Sequence, residues 1–120
     1  MEFIIHEKGN SKIAELKATN TILKNTGDFL DLIGNANYQG VEKIIIRKEN
    51  LQADFFDLKT RIAGDILQKF STYNLRLAII GDFSAYQSKA LNDFIRESNK
   101  IGRILFLSKK EEAIERFWKN

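Results

Sequence analysis

Cysteine is absent from this chain, which excludes disulfides, a thiol nucleophile and thiolate metal sites. That absence fits a reducing compartment. Histidine occurs once, as His6, so Ser/His/Asp catalysis has a single imidazole to use. His6 sits in the first expected strand, toward a hairpin turn, where a lone histidine is more often structural than a general base. The glycines are isolated, and no GxxxxGK[ST] or GxGxxG motif occurs to cradle phosphates. Neither does a D-x-D-x-D-G calcium loop. No apolar run approaches the ~20 residues that span a bilayer. The first residues, Met1-Glu2-Phe3-Ile4-Ile5-His6-Glu7, carry acids where a signal peptide carries Lys or Arg. A cytoplasmic protein without membrane contact is therefore expected. Excess charge is small as well. Nineteen Lys and Arg against 16 Asp and Glu give +3, and Lys8, Lys12, Lys24, Arg47, Lys69, Arg76, Lys89 and Arg103 are scattered rather than gathered into a nucleic-acid patch.

What remains is the composition of an ordinary globular domain of 120 residues, 43% hydrophobic and 29% charged. Residues 1–120 read as one domain organised around Val41 to Asp82. Val41-Glu42-Lys43-Ile44-Ile45-Ile46 and Leu75-Arg76-Leu77-Ala78-Ile79-Ile80 are β-branched, apolar runs of strand length. Between them Leu58 to Tyr73 has helical spacing, uninterrupted by proline. Near-continuous apolar strands joined by a helix define a βαβ unit with a parallel pair buried on both faces. On the helical wheel Leu58, Ile62, Ala63, Ile66, Leu67 and Phe70 make one apolar arc that includes Lys59, while Gly64 lies opposite.

Upstream, Phe3-Ile4-Ile5 and Ile13-Ala14-Glu15-Leu16 flank Lys8-Gly9-Asn10-Ser11. Gly-Asn at its centre supplies the positive φ of a tight hairpin turn. Thr19 to Asn25 reads as a connector, Thr26 as the N-cap of a helix carrying Phe29, Leu32, Ile33 and Ala36, and Gly40 as its end. Downstream, Ser84 or Ser88 can cap a third helix that Gly102 stops. Ile104-Leu105-Phe106-Leu107 is the last strand. Ser108-Lys109-Lys110-Glu111 has the form of a capping box before a final helix, with Trp118 as a lid on the core edge. The expected fold is α/β: an N-terminal β-hairpin, then repeated β-α units, giving a mostly parallel sheet of about five strands with four helices.

Ligands of open α/β sheets bind beyond the carboxyl ends of the parallel strands. Two loops leave those ends with unusual composition. The candidate ligand or partner rim they form consists of Glu49, Asn50, Asp54, Asp57, Lys59, Asp82 and Ser84. One use of Glu49, Asp54, Asp57 and Asp82 is to hold a hard cation; the plainer use of such residues is as caps and turns. No catalytic set, metal site or cofactor is assigned. Thr60, near the start of the central helix beside Lys59 and Arg61, is the candidate phosphoacceptor, because phosphate there meets the positive end of the helix dipole. Phe55 and Phe56 are either an exposed anchor or core, with core the expectation. Lys59, on the apolar arc, is expected to reach the rim near Asp57, Asp82 or Glu49 rather than remain buried and unpaired.

The runs Phe55-Phe56-Asp57-Leu58-Lys59-Thr60, Ala63-Gly64-Asp65-Ile66-Leu67-Gln68-Lys69-Phe70, Gly81-Asp82-Phe83-Ser84 and Glu97-Ser98-Asn99-Lys100 are similar to an uncharacterised bacterial family in the domain-of-unknown-function series, number forty-one-eighty. That resemblance covers nearly the whole chain and implies a small bacterial protein with no assigned activity. The element order also resembles the STAS domains, best known as anti-anti-sigma factors. These carry a phosphorylatable serine in an Asp-Ser-Ser-Gly-like motif at the start of the helix after the central strand. Asp57-Leu58-Lys59-Thr60 occupies that region, where Thr60 alone can stand for the hydroxyl and Arg61 and Ile62 replace the small residues. Small size, the absence of a catalytic constellation and the STAS-like element order together lead to the expectation of a non-enzymatic regulatory or protein-interaction module that meets a protein partner, with a homodimer left open; the dispersed charge makes nucleic acid not expected. The second expectation is a small enzyme or sensor that binds a phosphorylated or cationic ligand at the carboxyl ends of the central strands.

Overall fold

A computed structural model describes residues 1–17 and 20–119. The elements follow the order β1 (Phe3–Lys8), β2 (Ser11–Leu16), α1 (Thr26–Tyr38), β3 (Lys43–Arg47), α2 (Ile62–Thr72), β4 (Arg76–Ile80), α3 (Lys89–Ile101), β5 (Ile104–Leu107) and α4 (Lys110–Trp118). The strands form one sheet in sequence order, β1-β2-β3-β4-β5. β1 pairs antiparallel with β2, while β2, β3, β4 and β5 run parallel. The expected α/β architecture is the one observed. The hairpin turn is Gly9-Asn10, with Gly9 at φ +59°. The start of the expected connector, Thr19, lies outside the described residues.

Alternation along the strands splits the core in two. Ala14, Leu16, Ile44, Ile46, Leu77, Ile79, Ile104 and Phe106 face α1, α2 and α3, which contribute Phe29, Leu32, Ala63, Ile66, Phe70 and Leu91. On the other face Ile13, Ile45, Ala78, Leu105 and Leu107 meet α4, through Ala113 and Phe117. Ile114 and Trp118 pack at the edge of that second cluster, as expected of Trp118. Phe55 and Phe56 are core, 2% and 7% exposed, so Phe55 is no surface anchor.

Helix starts departed from expectation at α1, α2 and α4. Asn25, not Thr26, caps α1, its Oδ1 accepting from the Asp28 amide at 3.0 Å. For α3 the cap is Ser88, one of the two serines expected. Among the described residues no side chain caps α4: Lys109 is its extended N-cap residue, and Ser108 makes no capping bond. The central helix is shorter than its apolar arc. Leu58–Thr60 forms a separate 3₁₀ turn, and Arg61, left-handed at φ +65°, breaks the chain before α2 begins. Lys59 therefore stands outside the arc.

The free edge of β5 is closed by α3. Asn99 accepts from the Phe106 amide at 2.7 Å and donates to its carbonyl at 3.1 Å, and Ser98 Oγ donates to the Ile104 carbonyl at 2.6 Å. Side chains thus satisfy backbone groups that an edge strand would otherwise leave open. At the end of β4, Gly81 lies under the side chain of Lys48. A Cβ built there comes within 2.6 Å of Lys48 Cβ, an atom too close to the backbone to swing away. Gly81→Ala is expected to cost about 1–3 kcal/mol, the usual cost of overpacking, measured by urea denaturation. Unchanged stability would show that the two loops part easily.

Candidate functional site

The amino ends of the parallel strands are where the helices finish, so carbonyl-rich helix C-termini gather there. Cations satisfy them. Lys43 Nζ donates to the Phe117 carbonyl at 2.8 Å, Arg76 Nε to Gly102 at 2.9 Å, Arg103 Nη1 to Leu75 at 2.9 Å, and Arg116 Nη2 to Asn99 at 3.4 Å. Burial, together with the charges of Arg103 and Arg116, lowers the Arg76 pKa; burial, together with Arg76, lowers that of Lys43. This basic end is accounted for by dipole compensation.

The carboxyl ends hold two groups of side chains. The first is the rim read from the sequence, which does not converge. Asn50 is fully buried: its Oδ1 accepts from the Arg47 amide and its Nδ2 donates to the Thr21 carbonyl, clamping β3 to the connector. Asp57 accepts from the Lys59 amide at 3.1 Å. Asp82 accepts from the hydroxyl and the amide of Ser84 at 2.6 and 2.9 Å, and these bonds hold its carboxyl below the usual range. Glu49, Asp54, Asp57 and Ser84 are exposed, and Asp82 lies at the surface beside them. Among the described residues no three His, Asp or Glu side chains stand together as a metal would need, so the cation reading of the acidic rim gains no geometry. The two loops do lie side by side, but Lys48 rather than Lys59 joins them. Its ammonium donates to the Asp82 carbonyl at 3.0 Å and sits 4.8 Å from the Tyr86 ring centroid. Among the described residues no ion pair links Lys59 to Asp57, Asp82 or Glu49; Lys59 is exposed, because the break at Arg61 rotates its turn off the apolar arc. Gly64 faces open space, with nothing within 4 Å of a Cβ built on it.

Thr60 is exposed and its hydroxyl is busy. Oγ1 lies 2.7 Å from the Asp54 carbonyl and 2.8 Å from the Asp57 carbonyl, and it accepts from the Ile62 amide at 3.3 Å. It fastens the 3₁₀ turns to the first residue of α2.

The second group lies on the α4 side of the sheet and was missed. Glu15, the penultimate residue of β2, is 1% exposed. Its Oε1 is 2.8 Å from His6 Nε2, and its Oε2 is 2.7 Å from Arg47 Nη2 and 3.4 Å from Lys110 Nζ. β1 supplies the imidazole, the last residue of β3 the guanidinium and the first turn of α4 the ammonium. Burial opposes ionisation of Glu15, but the hydrogen bonds of His6 and Arg47 and the charges of Lys110 and Arg47 outweigh it, so its carboxyl sits below the ordinary range. One sequence signal pointed here: a carboxylate inside Ile13-Ala14-Glu15-Leu16, a strand apolar on both faces.

Fold and site define a single-sheet α/β protein with a group of charged side chains at each end of its parallel strands. The chain belongs to the family described as Domain of unknown function (DUF4180), whose model matches residues 8–117. Comparison with proteins of curated description finds no match. No helix among the described residues is long and apolar enough to cross a membrane.

Proposed function

We propose that this protein is a non-enzymatic regulatory or protein-interaction module of STAS-like type, bacterial and cytoplasmic, that meets a protein partner across the rim around Thr60. The observation that carries this reading is the Thr60 hydroxyl, exposed at the surface yet bonded to two carbonyls and one amide. Phosphorylation would replace its donor hydrogen with acceptor oxygens and about two negative charges. Those would face the Asp54 and Asp57 carbonyls, so the turn would open, while the start of α2, whose first amide already donates to Thr60, would attract the new charge. A modification there changes the shape and the charge of the rim together, as a regulated docking surface requires. Exposed Asp54, Asp57 and Lys59 supply its specificity.

Pull-down from the host followed by titration of the captured partner tests this. Thr60→Glu is expected to change affinity by about tenfold or more, equivalent to 1.4 kcal/mol, while Thr60→Ser, which keeps the hydroxyl and its bonds, leaves the shape and charge of the rim alone and changes it far less. A partner that binds Thr60→Glu like the unaltered chain removes Thr60 from the interface.

A second reading, a small enzyme or sensor with a phosphorylated or cationic ligand at the carboxyl ends of the strands, is favoured by one observation, the charged group built around buried Glu15.

A further inference from the structure

Glu15 has more cationic partners than it needs. One carboxylate carries one negative charge; Arg47 and Lys110 bring two positive charges to it, and His6 adds a third when protonated. The surplus is at the surface. Glu15 keeps 2% of its side chain accessible, whereas His6, Arg47 and Lys110 keep 28%, 29% and 35%. Donors are in surplus too. A guanidinium has five N–H groups and an ammonium three. Arg47 uses Nη1 on the Leu16 carbonyl at 3.3 Å and Nη2 on Glu15. Among the described residues Lys110 pairs with Glu15, at the long distance of 3.4 Å. A buried anion that fixes three half-exposed donors on neighbouring elements is a way of preorganising a positive surface: the donors cannot drift apart, and their outward N–H groups remain unspent.

We infer that His6, Arg47 and Lys110, held by Glu15, form a binding site for a small dianion bearing a phosphoryl group, inorganic phosphate or a phosphomonoester. The inference rests on the second reading above and narrows it, because a net positive site excludes the cationic ligand. Arg47 supplies the planar donors that match phosphoryl oxygens, and Lys110 supplies a compact point charge. The start of α4, without a side-chain cap, adds a favourable field. Glu111 and Glu112 follow in the same helical turn and oppose an anion; neither forms an ion pair with Lys110 or Arg47 among the described residues. Glu15 is a positioning residue here, since it is too buried to touch the ligand.

The test uses the full chain labelled with ¹⁵N, titrated with inorganic phosphate, with O-phosphoserine as the phosphomonoester and with succinate as a dianion lacking phosphorus, at constant ionic strength. Saturable amide shifts are expected at Arg47, Lys110 and Glu111 with either phosphoryl compound, and not with succinate. Lys110→Met is expected to weaken phosphate binding about tenfold, Lys110→Arg to restore most of it, and Lys100→Met, on α3, to leave it unchanged. Lys110 is exposed enough that its variants should remain folded, which the spectra themselves report. Absence of saturable shifts at these amides in the millimolar range overturns the inference. So does equal binding of succinate, or a response to Lys100→Met as large as that to Lys110→Met. None of these outcomes bears on the Thr60 rim, which the partner titration tests separately.

Discussion

Glu15→Gln is expected to lower stability by about 2–3 kcal/mol at neutral pH, at or below the lower limit of the roughly 3–5 kcal/mol that breaking a buried ion pair costs. The amide is nearly isosteric, so packing is kept. The loss comes from replacing an anion with a neutral group that no longer neutralises Arg47 and Lys110, both of which can only donate. It is not larger because His6, Arg47 and Lys110 are part-exposed and recover water. The pH dependence identifies the cause. Glu15 has a folded pKa below its ordinary value, so the native state holds fewer protons than the unfolded one in the interval between the two. Its stabilisation is complete above the unfolded value, about 4.3, and disappears as the pH falls through the folded value. Urea titrations followed by the single tryptophan, Trp118, should therefore show the wild-type and Glu15→Gln curves converging as the solution is acidified below about pH 4. A difference that stays constant through the acid range would mean that the substitution acts through packing and not charge.

Phe117→Ala should cost about 3–4 kcal/mol, within the range for removing a buried phenylalanine. Phe117 is the largest fully buried side chain of the second cluster. Its ring lies 4.9 Å from the Arg76 guanidinium carbon, and the substitution removes that cation–π interaction as well. The consequence is local before it is global. α4 has nine residues, too few to remain helical without packing. It is also the only helix on that face of the sheet among the described residues. In the variant, Trp118 emission should shift to the red at lower urea than the far-ultraviolet signal of the rest of the fold, and phosphate binding should disappear because Lys110 leaves with the helix. Phe70→Ala, in the larger cluster, should cost a similar amount yet keep the two transitions coincident. Coincident transitions for Phe117→Ala would show that the two clusters unfold as one unit.

The runs that resemble the family have structural tasks visible in the fold. Phe55 and Phe56 fill the core, and Thr60 fastens the turn before α2. Gly81 admits Lys48, Asp82 and Ser84 close the neighbouring loop, and Ser98 and Asn99 cover the edge of β5. These runs therefore build and brace the architecture.

Local pattern determined the element order, the hairpin and the helix stops at Gly40 and Gly102, because apolar periodicity and positive φ are properties of neighbouring residues. It also located the two loops that meet at the ends of β3 and β4. Local pattern misjudged Lys59, since a helical wheel assumes one unbroken helix and Arg61 breaks it. It misjudged Asn50, whose composition suits a loop but whose three-dimensional use is to satisfy buried backbone groups at Arg47 and Thr21. Only the tertiary structure decided that Glu15 is buried and charged. That depends on β1 folding back beside β2, on β3 adding parallel to β2's other edge, and on α4 crossing the face opposite the other three helices. These pairings bring residues distant in the chain within 3.4 Å of one carboxylate, and no spacing along a single strand encodes them.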